Sequence, residues 1–372
     1  MLKLALRTIM IVTFALAVFG VMVISYASKS QGLGPYHYCI MQSAFLVMGI
    51  VLATCFYFID YRFYRRPAVM WTLFALMVCA LVAVFVPGLG RAAKGAHRWI
   101  NLGPFSLQPI EFVKLFIIVV LSAYLEVQGG LIRRFGRGFA VPMAMVAVPL
   151  MLTLAQPDFG GSFVYCALCG LTLLLGGVSI RRCLLLGMIG VAAIGILVAL
   201  NPNRMARLRK EANDENDQAI QSEIAFRNGG LRGVGIGQGM QKEYYLPECH
   251  TDFIFAVVAE DMGLVATGGV WLAYLLLLGG GATIAFRAKD KQGTLLAFGA
   301  TMLLCAQGAA NMAVVTHLFP TKGLALPFLS YGGSCLLASF SAVGILLGVG
   351  RVTLNQEIDP EANTLKPVSF TV

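Results

Sequence analysis

The sequence predicts an all-α, polytopic membrane protein of about ten transmembrane helices, with a long extracytoplasmic loop between helices 7 and 8. Three observations lead there. Of the 372 residues, 58% are hydrophobic and only 12% charged, with a mean hydropathy of +0.78. Windows of about 20 apolar residues, enough to cross a hydrocarbon core, recur along nearly the whole chain. The polar and basic stretches between them leave no room for a soluble domain of ordinary size.

Spans are expected at about 8–27, 38–59, 68–87, 108–126, 140–156, 161–178, 184–200, 255–286, 294–316 and 332–350. The first has a short basic flank, Lys3 and Arg7, but no clear small-residue cleavage site, so it reads as a retained helix. An even number of spans puts both termini on one side. Arg62, Arg65 and Arg66, then Arg133, Arg134 and Arg137, then Arg181 and Arg182, then Arg287, Lys289 and Lys291 all fall on that side, which the positive-inside rule makes cytoplasmic. The chain thus divides into an integral membrane domain over 1–354, its large extracytoplasmic loop at about 201–252, and a short cytoplasmic tail over 355–372.

With charge on these loops, the net +10 needs no nucleic acid to explain it. Basic residues also lie on the outer side, at Arg91, Lys94, His97 and Arg98 and between Arg204 and Lys242. They fit either an anionic partner at the outer membrane surface or ordinary solvated loops. Most of the nine cysteines fall in or beside apolar spans and read as small packing residues; the Cys166–Cys169 pair has no further ligands at metal spacing. The glycines at 229, 230, 233, 235, 237 and 239 follow no strand, so a flexible or close-packed loop suits them better than a phosphate cradle.

Candidate chemistry concentrates where polar chain meets apolar chain. Glu248, His250 and Asp252 stand just before the apolar run Phe253–Phe255. Partial desolvation there would make the Asp252 carboxylate a useful base, and the same position suits a helix N-cap. Glu111 and Lys114, three residues apart, share one face of a span that Pro109 should open. They form an internal ion pair, or Lys114 positions an anion or the Asp252 carboxylate. Arg98 and Trp99 suit the membrane interface, and Asp158, in the turn at Gln156–Gly161, either stabilises that turn or lines a site. The run His317–Ser334, with two prolines and three glycines, must pack on protein or line a cavity. There Lys322 and Ser330 could contact phosphate, although Lys322 also suits a snorkelling lysine.

These residues lie in runs that together resemble the SEDS family (shape, elongation, division and sporulation), the polytopic peptidoglycan glycosyltransferases that include FtsW and RodA. The runs are IDYR at 59–62, HRWINLGPFSLQPIEFVKL at 97–115, QPDFGGS at 156–162, QKEYYLPECHTDFIFAVVAEDMG at 241–263 and FPTKGLALPFLSYGGS at 319–334. The Pro-Thr-Lys-Gly run before LPFLSYGG is more similar to the FtsW, or division, branch. Departures fall at His317, where glycine is common, and at Glu223 and Arg227, where small or apolar residues are usual.

The resemblance implies polymerisation of lipid II, an undecaprenyl-diphosphate-linked disaccharide-pentapeptide, in septal wall synthesis at the bacterial cytoplasmic membrane. Asp252 would be the base; Arg98, Glu111, Lys114, Asp158, Glu248, His250, Lys322 and Ser330 would face the substrate. A class B penicillin-binding transpeptidase and other division or elongation proteins would be partners, and a divalent cation such as Mg or Mn could assist, with no ligand set visible. The rival expectations are a lipid II flippase, a RodA-like elongation polymerase and a non-catalytic division scaffold.

Overall fold

The structure, a computed structural model, describes residues 1–27, 36–93, 96–103, 105–129, 136–184, 187, 218, 220–244, 249–319 and 323–359. Among them run nine long helices: α1 Leu2–Ala27, α2 His37–Phe58, α3 Pro67–Ala83, α4 Pro109–Gln128, α5 Val141–Ala155, α6 Phe159–Leu175, α7 Ile254–Arg287, α8 Lys291–Val315 and α9 Gly333–Ile358. Nine of the ten expected spans coincide with these helices. The tenth, 184–200, lies outside the described residues except at positions 184 and 187.

Six helices are long and apolar enough to cross a bilayer, and α3 and α6 are apolar but shorter. α4 is long enough at 20 residues but carries Glu111, Lys114 and Glu126. Local chemistry sets the helix starts. Proline occupies the first turn of α3 and α4, where its missing N–H costs nothing. The Asp158 and Asp290 carboxylates cap α6 and α8, accepting from the N–H of Gly161 at 2.9 Å and of Gly293 at 2.6 Å.

Lipid tails are as apolar as leucine, so the helices are held by close contact rather than by exclusion of water. α9 is the central post, buried almost throughout. It runs parallel to α2, with Gly333 against Phe45, Gly344 against the Ala53 backbone and Gly348 against Phe56 and Tyr57. α1 runs antiparallel to α7, Ile9 meeting Gly280 and the Tyr26 hydroxyl reaching the Met262 sulfur. α4 and α8 are also antiparallel, joined at Ile118–Gly299.

One end of the bundle is tied by charge. The Asp290 carboxylate takes Arg65 at 2.7 Å, Arg62 at 3.6 Å and the Tyr61 hydroxyl at 2.9 Å. Glu126 of α4 adds a bond from the Gln292 N–H at 3.0 Å. These are residues of the loops expected to be cytoplasmic, and Asp252 lies at the other end of α7 from Arg287.

The all-α expectation misses one feature. A three-stranded antiparallel sheet, β1 Gly90–Ala93, β2 Ala96–Asn101 and β3 Ser106–Leu107 in that order, leads into α4. Its strands are two to six residues long, too short for hydrophobic alternation to announce them. The expected large loop contains a helical segment over 220–229, and α9 continues to Ile358, just past the expected start of the tail.

Candidate functional site

α7 is two helices. At Gly263 the backbone turns to φ 72° and ψ −169°, so the buried stretch Ile254–Met262 is separated from the spanning part that begins at Leu264. A break inside a membrane protein exposes backbone donors and acceptors that must be satisfied by protein. The glycine-rich turn does so. Val234 and Gly235 donate to the carbonyls of Glu260 and Asp261 at 2.9 and 3.0 Å, and the carbonyls of Gly230 and Leu231 accept from Leu264 and Val265 at 2.9 and 3.3 Å. Gly233 sits so close to the Asp261 carbonyl that no Cβ fits, and its φ of +79° suits glycine alone. The glycine series is thus the close-packed loop of the two expected kinds.

The same turn absorbs both acids that precede the break. Glu260 accepts from the N–H groups of Met240 and Gln241 and from Asn228. Asp261 accepts from Gly237 and Gly239 and pairs with Lys242 Nζ at 2.7 Å, with the Lys242 side chain 2% and the Asp261 side chain 0% exposed. The ammonium also lies 5.1 Å over the Tyr26 ring. Lys242, grouped in sequence with the outer basic residues, is therefore neither solvated nor open to a ligand.

Asp252 stands two residues before the buried half-helix. The N-cap position belongs to Phe253, whose side chain makes no capping bond. Asp252 is half-buried, and a Cβ at Gly323 would stand 2.6 Å from its Oδ2. Its backbone is fixed by α8, because Asn311 Nδ2 donates to the Asp252 carbonyl at 2.8 Å and to the Leu324 carbonyl. One turn earlier on α8, Gln307 Nε2 donates to the Ala325 carbonyl at 3.1 Å, and its Oε1 accepts from Lys114 Nζ at 2.7 Å. Two amides, four residues apart, therefore hold the 323–326 segment against Asp252.

Lys114 is 0% exposed and bonds Glu111 Oε1 at 2.8 Å as well as Gln307. The expected pairing of Glu111 with Lys114 is present, and the ammonium engages these two side chains rather than the Asp252 carboxylate. Asp158 caps α6 and accepts from Gln108 Nε2 at 3.4 Å. Gly160 of α6 packs against Gly323 and Leu324, which brings the 156–162 turn beside the segment that touches Asp252. Arg98 is half-buried, and its guanidinium donates to the carbonyls of Gln156 and Pro157, linking β2 to that turn. Ser330 is buried; its hydroxyl donates to the Thr251 carbonyl at 2.6 Å and accepts from Leu326 N–H at 2.8 Å. His250 is buried between the rings of Tyr38 and Tyr331.

Asp252, Asp158, Arg98, His250 and Ser330 thus gather at one end of the bundle, with Glu111 and Lys114 beneath them. Glu248 and Lys322 lie outside the described residues. Among the described residues no group of three or more His, Cys, Asp or Glu side chains could hold a metal ion. Sequence reasoning passed over Gln307, Asn311, Glu260 and Asp261. The first two had a usable signal, since two amides at i and i+4 in an apolar helix must share a buried face.

The family model described as "cell cycle protein", FtsW/RodA/SpoVE, matches residues 6–354. The chain is 38% identical over 351 residues to the probable peptidoglycan glycosyltransferase FtsW of Trichlorobacter lovleyi, covering 92% of each. It is 36% identical to stage V sporulation protein E of Bacillus subtilis, over 83% of this chain and 86% of that one. Among solved structures, a chain from a peptidoglycan synthase complex that coordinates polymerization and crosslinking superposes with a TM-score of 0.75 at 27% identity, covering 93% of this chain and 97% of that one. The rod shape determining protein RodA of Thermus thermophilus does so with a TM-score of 0.68 at 26% identity, covering 92% and 95%. On the match to the family model and to relatives along nearly its whole length, the chain belongs to the FtsW/RodA/SpoVE family of multi-pass membrane proteins.

Proposed function

We propose that the chain is a peptidoglycan glycosyltransferase that polymerises lipid II in septal wall synthesis, with Asp252 as the general base. The observation that carries this is the setting of Asp252. Asp252 is half-buried at one end of the bundle, its backbone is clamped by Asn311, and the 323–326 segment lies against it. A base must be fixed in place yet open to the proton it removes.

In this reading Asp252 takes the proton of the acceptor sugar's 4-hydroxyl as that oxygen attacks the donor's anomeric carbon. The new glycosidic bond forms with inversion, and undecaprenyl diphosphate leaves. Arg98, with Lys322, offsets the charge that grows on the departing diphosphate. Lys114 acts from below, through Gln307, on the shape of the 323–326 segment. The site end then faces outward from the cytoplasmic membrane at the division septum, with both termini in the cytoplasm. The solved synthase complex, which coordinates polymerization with crosslinking, supports a class B penicillin-binding transpeptidase as partner.

The test is polymerisation of labelled lipid II by purified protein in detergent, with and without the transpeptidase. Asp252→Asn is expected to lower the rate by about 10²-fold or more, the usual contribution of a positioned base, while the protein stays folded. Near-normal glycan synthesis by that variant overturns the base assignment. Detergent removes any need to cross a leaflet, so polymer formed there is not the product of a flippase.

A further inference from the structure

Three polar rings meet beside Asp252, and the reaction above gives them no task. Tyr38 comes from the first turn of α2, His250 from two residues before Asp252, and Tyr331 from the segment that precedes α9. Tyr38 and Tyr331 pack edge to face at 4.9 Å between centroids, and both touch the His250 ring, at 5.0 and 5.8 Å. His250 is buried, whereas the two phenols are half-buried. Tyr38 also meets the His37 ring edge to face at 5.6 Å, and edge-to-face packing sets the edge of one ring against the face of the other.

The cluster is held in register with the base. Tyr331 N–H donates to the His250 carbonyl at 2.9 Å, and Ser330 Oγ to the Thr251 carbonyl at 2.6 Å. Its composition differs from ring pairs inside the bundle, such as Phe328–Phe340 and Phe56–Phe116, which carry no polar atom. Phenols suit a place where one side is dry and the other wet. Burial, with Tyr38 alongside, raises the Tyr331 phenol above its ordinary value, so its hydroxyl remains a donor at neutral pH.

A pyranose offers the matching chemistry, a face of C–H groups bordered by hydroxyls. We propose that Tyr38 and Tyr331, backed by His250, form a subsite that receives a sugar ring of the lipid-linked saccharide next to Asp252. The subsite rests on the glycosyltransferase reading. It recognises the saccharide, not the diphosphate or the polyprenyl tail.

The experiment measures equilibrium binding of labelled lipid II and of labelled undecaprenyl diphosphate, which lacks the sugars, to purified wild type and to Tyr38→Ala, Tyr331→Ala and Tyr38→Trp variants. The alanine variants are expected to lose roughly 3- to 10-fold in lipid II affinity, the worth of one aromatic contact, and to bind undecaprenyl diphosphate as wild type does. Tyr38→Trp, which keeps a ring, is expected to hold most of the lipid II affinity. Unchanged lipid II binding by both alanine variants overturns the subsite, and so does an equal loss for both ligands. The two readings fail separately: wild type that polymerises lipid II beside insensitive alanine variants removes only the subsite, whereas wild type that neither binds nor polymerises lipid II removes both.

Discussion

Asn311 has no charge and no reactive atom, yet it fixes the backbone that carries the proposed base. Its amide nitrogen meets two carbonyls, the part-buried one of Asp252 and the buried one of Leu324, from one helix position. Asn311→Ala leaves both without that donor, at a cost of about 1–3 kcal/mol. Thermal denaturation in detergent should show that loss, and the polymerisation assay should show kcat falling more than KM changes, because the base is loosened rather than the substrate. His317 supplies the opposite case. It sits at φ +62° just beyond α8, where its N–H bonds the Val314 carbonyl at 3.0 Å and Leu318 N–H bonds Ala313 at 2.8 Å. That is a helix end closed by a left-handed residue, a place glycine fills without strain. His317→Gly is expected to stabilise the protein by about 1 kcal/mol, read as a higher unfolding temperature. Glycine is common at this position in the family the sequence resembles, and the backbone supplies the reason.

At the scale of elements, the ion pair in α4 decides how that helix can sit in a membrane. Lys114→Met leaves Glu111 and the Gln307 oxygen without the ammonium in a dry interior, with an expected cost of about 3–5 kcal/mol. The double variant Glu111→Gln/Lys114→Met removes the stranded charge, so it should unfold at a higher temperature than Lys114→Met alone. Hydropathy made the helices of this fold legible, because a bilayer-crossing segment needs some 20 apolar residues and little else. Caps were legible where residue chemistry is local, as at Pro109 and Asp158. The break in α7 was not. Glu260 and Asp261 find their partners between Asn228 and Lys242, a pairing that no local pattern encodes. The place of Asp252 between polar and apolar chain is read locally, whereas the carbonyls that Gln307 and Asn311 hold cannot be read from α8 alone.

Across the whole molecule, the two ends of the bundle are built differently. At the basic end, Asp290 gathers Arg62, Arg65 and Tyr61 and also caps α8, so one carboxylate joins the turn over Tyr61–Arg65 to α8. Asp290→Ala is expected to cost about 1–2 kcal/mol, most of it the lost cap, since partly exposed ion pairs contribute little. Polymerisation per folded molecule should stay near wild type, because this end is remote from Asp252. At the site end Lys242 and Asp261 form a buried pair, and the break at Gly263 is sealed by a turn that comes earlier in the chain. During synthesis that turn leaves the ribosome first, ahead of the Ile254–Val265 backbone that it pairs with in the fold. The turn therefore waits on the arrival of its successor. Only a chain inserted with both pieces on the same face can close the seal, which makes the joint a check on topology as well as a support for the half-helix that follows Asp252.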